Sequence, residues 1–154
     1  MKQYNECIET PLGLLEVTAD AQAVKTIYFV DHPPESQVNK ITKLAIAQLK
    51  QYFAGERRQF DLPLAPEGTS FQQQVWQALL TIKYGDTCSY SDIANQINNP
   101  KAVRAVGAAN GRNPLTIVVP CHRVVGRNGA LTGYAFGIER KSWLLNHESD
   151  DLFS

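Results

Sequence analysis

Nowhere in the 154 residues does an apolar run approach the roughly 18 that a membrane-spanning helix needs, which excludes a helical membrane protein. Cysteine is scarce and odd in number. The three, Cys7, Cys88 and Cys121, are widely spaced, so a disulfide framework is not expected and a reducing compartment is. Soft metal ligands are equally few: Cys7 and His32 are the only cysteine and histidine before residue 88, too few for a four-ligand zinc site, and neither metal nor cofactor is expected. Excess charge is missing as well. With 15 basic and 15 acidic residues the net charge is zero, which argues against a general polyanion binder. The opening stretch Met1–Glu6 has no apolar signal region, and with it goes the expectation of a cytoplasmic protein that contacts no membrane. Internal repeats and low-complexity segments are also absent.

What is present is enough chain to build a core, since a domain of about 150 residues buries roughly 68–70% of its unfolded surface. Residues 3–31 read as strands punctuated by Pro11-Leu12-Gly13, with a partly alternating run from Ala23 to Val30 and closure at Pro33 and Pro34. From Gln37 to Phe53, Val38, Ile41, Leu44, Ala45, Leu49, Tyr52 and Phe53 recur at helical spacing, with Gly55 as the stop. The segment from Glu56 to Gly68, with Pro63 and Pro66, reads as a linker. Two domains are therefore expected: an N-terminal strand-and-helix domain over residues 1–62, and a mainly helical one over 70–154.

The second domain opens with a helix from Thr69-Ser70 to Ile82 that places Phe71, Val75, Trp76, Leu79 and Leu80 on one face. Two short helices follow, Ser89–Ile97 and Lys101–Asn110, separated by Asn98-Asn99-Pro100, in the manner of a helix-turn-helix. The second of them is built almost entirely of small side chains around Arg104, which suits close approach of its backbone to a groove. Between Lys101 and Lys141 basic residues outnumber acidic ones: Lys101, Arg104, Arg112, Arg123, Arg127, Arg140 and Lys141 stand against Glu139 alone. A closing helix runs from Ile138 to His147, anchored by Trp143, Leu144 and Leu145, ahead of a polar tail Ser149–Ser154.

Chemistry gathers in Ile117-Val118-Val119-Pro120-Cys121-His122-Arg123-Val124-Val125. Branched residues favour extended backbone and proline removes a donor, so Cys121 is expected where a buried strand stops, opening onto a cleft. A cysteine attacks as its thiolate and needs a base or a cationic neighbourhood, for which His122 and Arg123 are the candidates. Neighbours on a strand point to opposite faces, so His122 would reach Cys121 through a bent backbone or a water.

Pro120-Cys121-His122-Arg123-Val124, with Tyr90, Arg104 and Asn113-Pro114 before it and Trp143-Leu144-Leu145-Asn146-His147-Glu148 after it, resembles the O6-alkylguanine-DNA alkyltransferases over Ser70–Glu148. The resemblance implies an α+β chain in which a small ribonuclease H-like domain precedes a helical domain carrying the helix-turn-helix and the active-site cysteine. It implies direct reversal of damage in double-stranded DNA by a monomer without cofactor or metal: Cys121 takes the alkyl group from guanine O6 once and keeps it. His122 would act as base through a water, Glu148 would hold the imidazole, Tyr90 would rotate the phosphate and protonate the departing guanine, and Asn113 would tie the helix to the active-site turn. Arg104 would fill the stack behind the flipped base, with Lys101, Ala102, Ala105, Tyr90 and Arg123 as further DNA contacts through the minor groove. Tyr134, Ala135, Phe136 and Val124 would line the alkyl pocket. One departure is Phe136, where many members have a small residue. The runner-up is a non-catalytic alkyltransferase-like lesion sensor, which lacks the thiol. A base-reading regulator would need more Asn, Gln or Arg on its second helix, and a Cys-His hydrolase would need an oxyanion hole.

Overall fold

The computed structural model describes residues 2–149, so the expected polar tail lies outside the described residues from Asp150 onward. The chain divides into two compact units, one made of Met1–Glu67 with Pro114–Thr116, the other of Gly68–Asn113 with Ile117–Ser154.

In the first unit, β1 (Tyr4–Thr10), β2 (Gly13–Ala19) and β3 (Val24–Val30) form an antiparallel sheet in the order β1-β2-β3. The alternation of β2 is strict: Leu15, Val17 and Ala19 are buried, while Leu14, Glu16 and Thr18 between them are only partly so. Helix α1 (Lys40–Phe53) covers the sheet with Ile41, Ala45, Leu49 and Tyr52. It starts at Asn39 rather than near Gln37, because the Asn39 side chain accepts from the Thr42 amide and the Thr42 hydroxyl returns a bond to the Asn39 backbone. At its other end Gly55 takes a left-handed φ of 78°, as a stop residue should.

The segment read as a linker is not one throughout. The Val24 amide donates to the Pro63 carbonyl at 2.8 Å, and the Ala65 amide to the Val24 carbonyl at 3.0 Å, so this stretch lies along β3. Pro114–Thr116 bonds the same strand: the Ile27 amide donates to the Pro114 carbonyl at 2.8 Å, and Leu115 is fully buried. A segment far along the chain thus completes the first unit's edge, which no local pattern could announce.

The second unit opens with α2 (Ser70–Leu79), capped by Thr69 through a reciprocal pair with Gln72. Val75, Trp76 and Leu79 are buried, but Leu80, beyond the last turn, is exposed. The Trp76 indole donates at 2.9 Å to the Ala109 carbonyl and fixes α2 to α4 (Val103–Gly111). A side chain at Gly68 would fall 2.4 Å from the Trp76 ring, so only glycine fits there. Between them α3 (Tyr90–Gln96) is capped by Ser89 with Asp92, giving the expected helix-turn-helix pair. A two-residue parallel ladder joins β4 (Cys88–Ser89) to β5 (Val124–Val125). Helix α5 (Ile138–His147) closes the chain as expected, although Trp143 and Leu145 are only half-buried and Lys141 and Leu144 are its buried residues.

The strand expected before Cys121 is absent. Residues 116–119 are turns, and Ile117 sits at φ 74°, a left-handed conformation that a β-branched side chain adopts only under constraint. Burial overrides propensity here: Leu115, Ile117, Val118 and Val119 are all inside, and the Asn113 amide grips the Val119 carbonyl at 2.8 Å.

Candidate active site

Because the backbone turns instead of extending, Cys121-His122-Arg123 forms one turn of 3-10 helix, and the two-faced geometry of a strand does not apply. The thiol does not open widely onto a cleft: Cys121 is 5% exposed. His122 and Glu148 are as deeply enclosed, and the His122 Nε2 and the Glu148 Oε2 lie 2.7 Å apart.

Arg123 corrects one expectation. Named among the DNA contacts, it is instead buried, and its Nε and Nη2 donate to the two Glu148 oxygens at 2.7 and 3.0 Å while Nη1 donates to the Ile82 carbonyl at 2.7 Å. The planar guanidinium matches the carboxylate fork, which makes arginine the cation for a buried carboxylate. The guanidinium also lies over the Tyr84 ring, whose hydroxyl reaches the His147 carbonyl at the end of α5.

These charges fix the protonation pattern. Burial alone would raise the Glu148 carboxyl, but its hydrogen bonds with His122 and Arg123 and the charge of Arg123 outweigh it and hold the group well below the usual carboxylate range. Burial pushes the His122 imidazole below its ordinary value despite the hydrogen bond and charge of Glu148, so the ring is neutral. A neutral ring facing an ionised carboxylate must carry its proton on Nε2. Nδ1 then keeps a lone pair, and it is one of two buried side-chain atoms without a hydrogen-bond partner among the described residues. The arrangement is a poised base held in one tautomer.

The other two thiols each sit near carboxylates. Burial pushes Cys88 up to about 11, helped by Asp92, and burial together with Glu16 and Glu6 raises Cys7.

Two polar residues that the sequence reading did not assign to the site, Asn110 and Lys141, also hold the turn. The Asn110 amide, at the end of α4, donates to the Cys121 carbonyl at 3.3 Å. Lys141 is fully buried, its Nζ donating at 2.6 Å to the carbonyls of Val124 and Thr132. The signal for Lys141 was spacing, since Lys141, Leu144 and Glu148 fall on one stripe of α5 at three- and four-residue intervals.

Of the remaining expected residues, the Tyr90 hydroxyl lies 3.4 Å from both the carbonyl and the hydroxyl of Thr132. Arg104, Lys101 and Ala105 are exposed on or beside α4 and Ala102 is half-buried. In the loop before α5, Tyr134 and Phe136 meet edge to face with centroids 6.0 Å apart, and Ala135 is exposed. Val124 is fully buried in the β4–β5 ladder. No group of three or more acidic, histidine or cysteine side chains that could hold a metal occurs among the described residues.

The family model described as the 6-O-methylguanine DNA methyltransferase DNA-binding domain matches residues 70–150, and the one described as its ribonuclease-like domain matches residues 3–66. The chain belongs to the 6-O-methylguanine DNA methyltransferase family. Among curated relatives, the methylated-DNA–protein-cysteine methyltransferase of Methanosarcina acetivorans is 48% identical over 152 residues, covering 94% of this chain and 97% of that one. The constitutive enzyme of the same name from Bacillus subtilis is 49% identical over 156 residues, covering 94% of each. Among solved structures, the Mycobacterium tuberculosis protein in complex with DNA superposes with a TM-score of 0.87 at 46% identity, covering 94% of this chain and 91% of that one. The α+β reading is borne out by the family's ribonuclease-like domain and by these superpositions.

Proposed function

We propose that the protein repairs DNA by moving the alkyl group of an O6-alkylguanine onto Cys121, once per molecule. One observation carries the reading: a buried thiol on a 3-10 turn stands beside a neutral histidine whose tautomer is fixed by a carboxylate that an arginine holds ionised. The Cys121 proton passes to His122 Nδ1 by way of a water. The sulfur lone pair forms the S–C bond as the C–O6 bond breaks, and the guanine leaves with the electron pair and takes up a proton from Tyr90. The product is a thioether, which has no leaving group that water displaces easily, so the protein is spent.

The exposed Arg104 and the small side chains beside it on α4 supply the minor-groove surface and the side chain that fills the stack when the base leaves it. The pocket is assigned to Tyr134, Ala135, Phe136 and Val124, and the tie between helix and active-site turn to Asn113. The domain assignment of 1–62 and 70–154 is kept as a functional division, with alkyl acceptance wholly in the second part. The protein works as a monomer in the reducing cytoplasm, where free thiols persist; no described helix is long and apolar enough to cross a membrane.

A non-catalytic lesion sensor would need no thiol, and Cys121 with its fixed base has no purpose in such a protein. The experiment is incubation with an O6-methylguanine duplex followed by mass spectrometry of the Cys121 peptide.

A further inference from the structure

The turn that joins α2 to β4 carries no residue of the reaction outlined above, yet it touches the buried cluster from several sides. The Ile82 carbonyl accepts from Arg123 Nη1 at 2.7 Å. The Arg123 guanidinium carbon lies over the Tyr84 ring, 5.7 Å from its centroid, and the Tyr84 hydroxyl donates at 3.3 Å to the carbonyl of His147. A side chain at Gly85 would fall 3.2 Å from the Glu148 carbonyl, so the backbone of the turn lies against the end of α5.

These contacts bear on an exacting position. Glu148 is the cap residue after the last turn of α5, and a helix end is where the backbone frays and where the last carbonyls have no amide partner within the helix. A carboxylate there also meets the negative end of the helix dipole, which disfavours it. The base depends on this placement, because His122 keeps its proton on Nε2 only while Glu148 Oε2 stays in the 2.7 Å contact.

Arg123 grips the carboxylate with two nitrogens, but it is itself a side chain on a single 3-10 turn, and its own place is set by what its third nitrogen and its flat face meet. Tyr84 reaches both sides of the pair. Its hydroxyl takes one of the last carbonyls of α5, and its ring takes the face of the cation, so one stiff aromatic side chain fixes the end of the helix relative to the guanidinium.

We propose that Tyr84 is a positioning residue for the transfer: bridging the His147 carbonyl and the Arg123 guanidinium, it holds the Glu148 carboxylate against His122 Nε2 and so keeps Nδ1 bare to receive the Cys121 proton. The inference rests on Cys121 being the alkyl acceptor and His122 its base. Tyr84 acts on the imidazole through Glu148 and Arg123. A residue that merely filled space at this turn would change stability and leave the proton of the imidazole where it is.

The test is ring-nitrogen NMR of His122, assigned by its loss in His122→Gln, in wild type, Tyr84→Phe and Tyr84→Leu. Alongside it run urea unfolding and the single-turnover rate on an O6-methylguanine duplex. In wild type one ring nitrogen should carry a proton and the other none. In Tyr84→Leu the two nitrogen signals should draw together as the tautomers mix, with a rate about ten-fold lower or worse. Tyr84→Phe keeps the ring on Arg123 and loses only the bond to His147, so it should fall between the two. A folded leucine variant with the wild-type ring signals overturns the proposal, whatever its rate or stability. Should that variant fail to fold, the phenylalanine variant decides: ring signals and rate unchanged from wild type overturn the proposal. The ring signals report the tautomer even if no alkyl group is ever transferred, so a failed positioning role and a failed repair function are told apart.

Discussion

His122 and Glu148, 26 residues apart in sequence, meet through a 2.7 Å contact between Nε2 and Oε2, both side chains buried. Arg123 closes on the other side of the same carboxylate, so the histidine's orientation and the carboxylate's charge are set together.

Replacing Glu148 by Gln should therefore do two things. It replaces the carboxylate by an amide that can present a donor as well as an acceptor to Nε2, so the His122 tautomer is no longer fixed and a loss of about 10²-fold or more in single-turnover rate is expected. It also leaves the Arg123 guanidinium buried without its counter-charge, at a cost of roughly 3–5 kcal/mol. Urea unfolding and transfer to an O6-methylguanine duplex check the two halves; unchanged stability would mean that the Arg123 pair is not formed.

Acid should unfold the protein through the same cluster. Glu148 is held well below its ordinary 4.5, a depressed carboxylate whose stabilisation is present above the ordinary value and lost as pH falls below about 4.5. The buried His122 is held below its ordinary 6.5, so below about 6.5 the unfolded chain binds a proton that the folded one refuses, and stability falls in the same direction. Melting temperature should be level near neutral pH and drop steadily below about 6.5. A flat profile down to pH 4 would contradict this, and Glu148→Gln should show a weaker slope below 4.5.

Arg104 is exposed, and α4 packs through Val106, Ala109 and Asn110 on its other side. Arg104→Ala should leave stability within about 0.5 kcal/mol. It should slow repair of duplex DNA far more than reaction with free O6-benzylguanine, because a free base needs no flipping. Equal losses on the two substrates would show that Arg104 acts on the site rather than on the DNA.

Phe136 packs edge to face on Tyr134 in the loop ahead of α5. If that loop covers the alkyl pocket, Phe136→Gly should raise the rate with O6-benzylguanine substantially while changing methyl transfer little, since tightly packed walls resist an added ring more than an added methyl. Identical benzylguanine rates in the two proteins would remove Phe136 from the pocket.

Much of this was legible in the chain itself, and the failures are instructive. Three helix starts carry reciprocal caps within four residues, Asn39 with Thr42, Thr69 with Gln72 and Ser89 with Asp92, although the reading began the first helix at Gln37 and gave Ser70 as the cap of the second. The alternation of β2 and the spacing of α5 were equally local. The run before Cys121 was misread because branched residues favour strands only where a sheet exists to receive them, and here burial and the Asn113 side chain bend the backbone instead. Arg123 was read both as a cationic neighbour of Cys121 and, from the resemblance, as a DNA contact. Its carboxylate partner lay 25 residues downstream, beyond any periodic pattern. Lys141 was counted with the basic face, though its place on the Leu144 stripe marked it as buried.

The central claim, that Cys121 accepts the alkyl group and is consumed by it, is tested most directly by intact-mass and peptide mass spectrometry after reaction with excess O6-methylguanine duplex. One added methylene (about 14 Da) on the Cys121 peptide, none on the Cys7 or Cys88 peptides, and repaired DNA that stops at one per protein are the predicted results. Repair that continues beyond one per protein, or an unmodified Cys121 in protein that has repaired its DNA, would contradict the account.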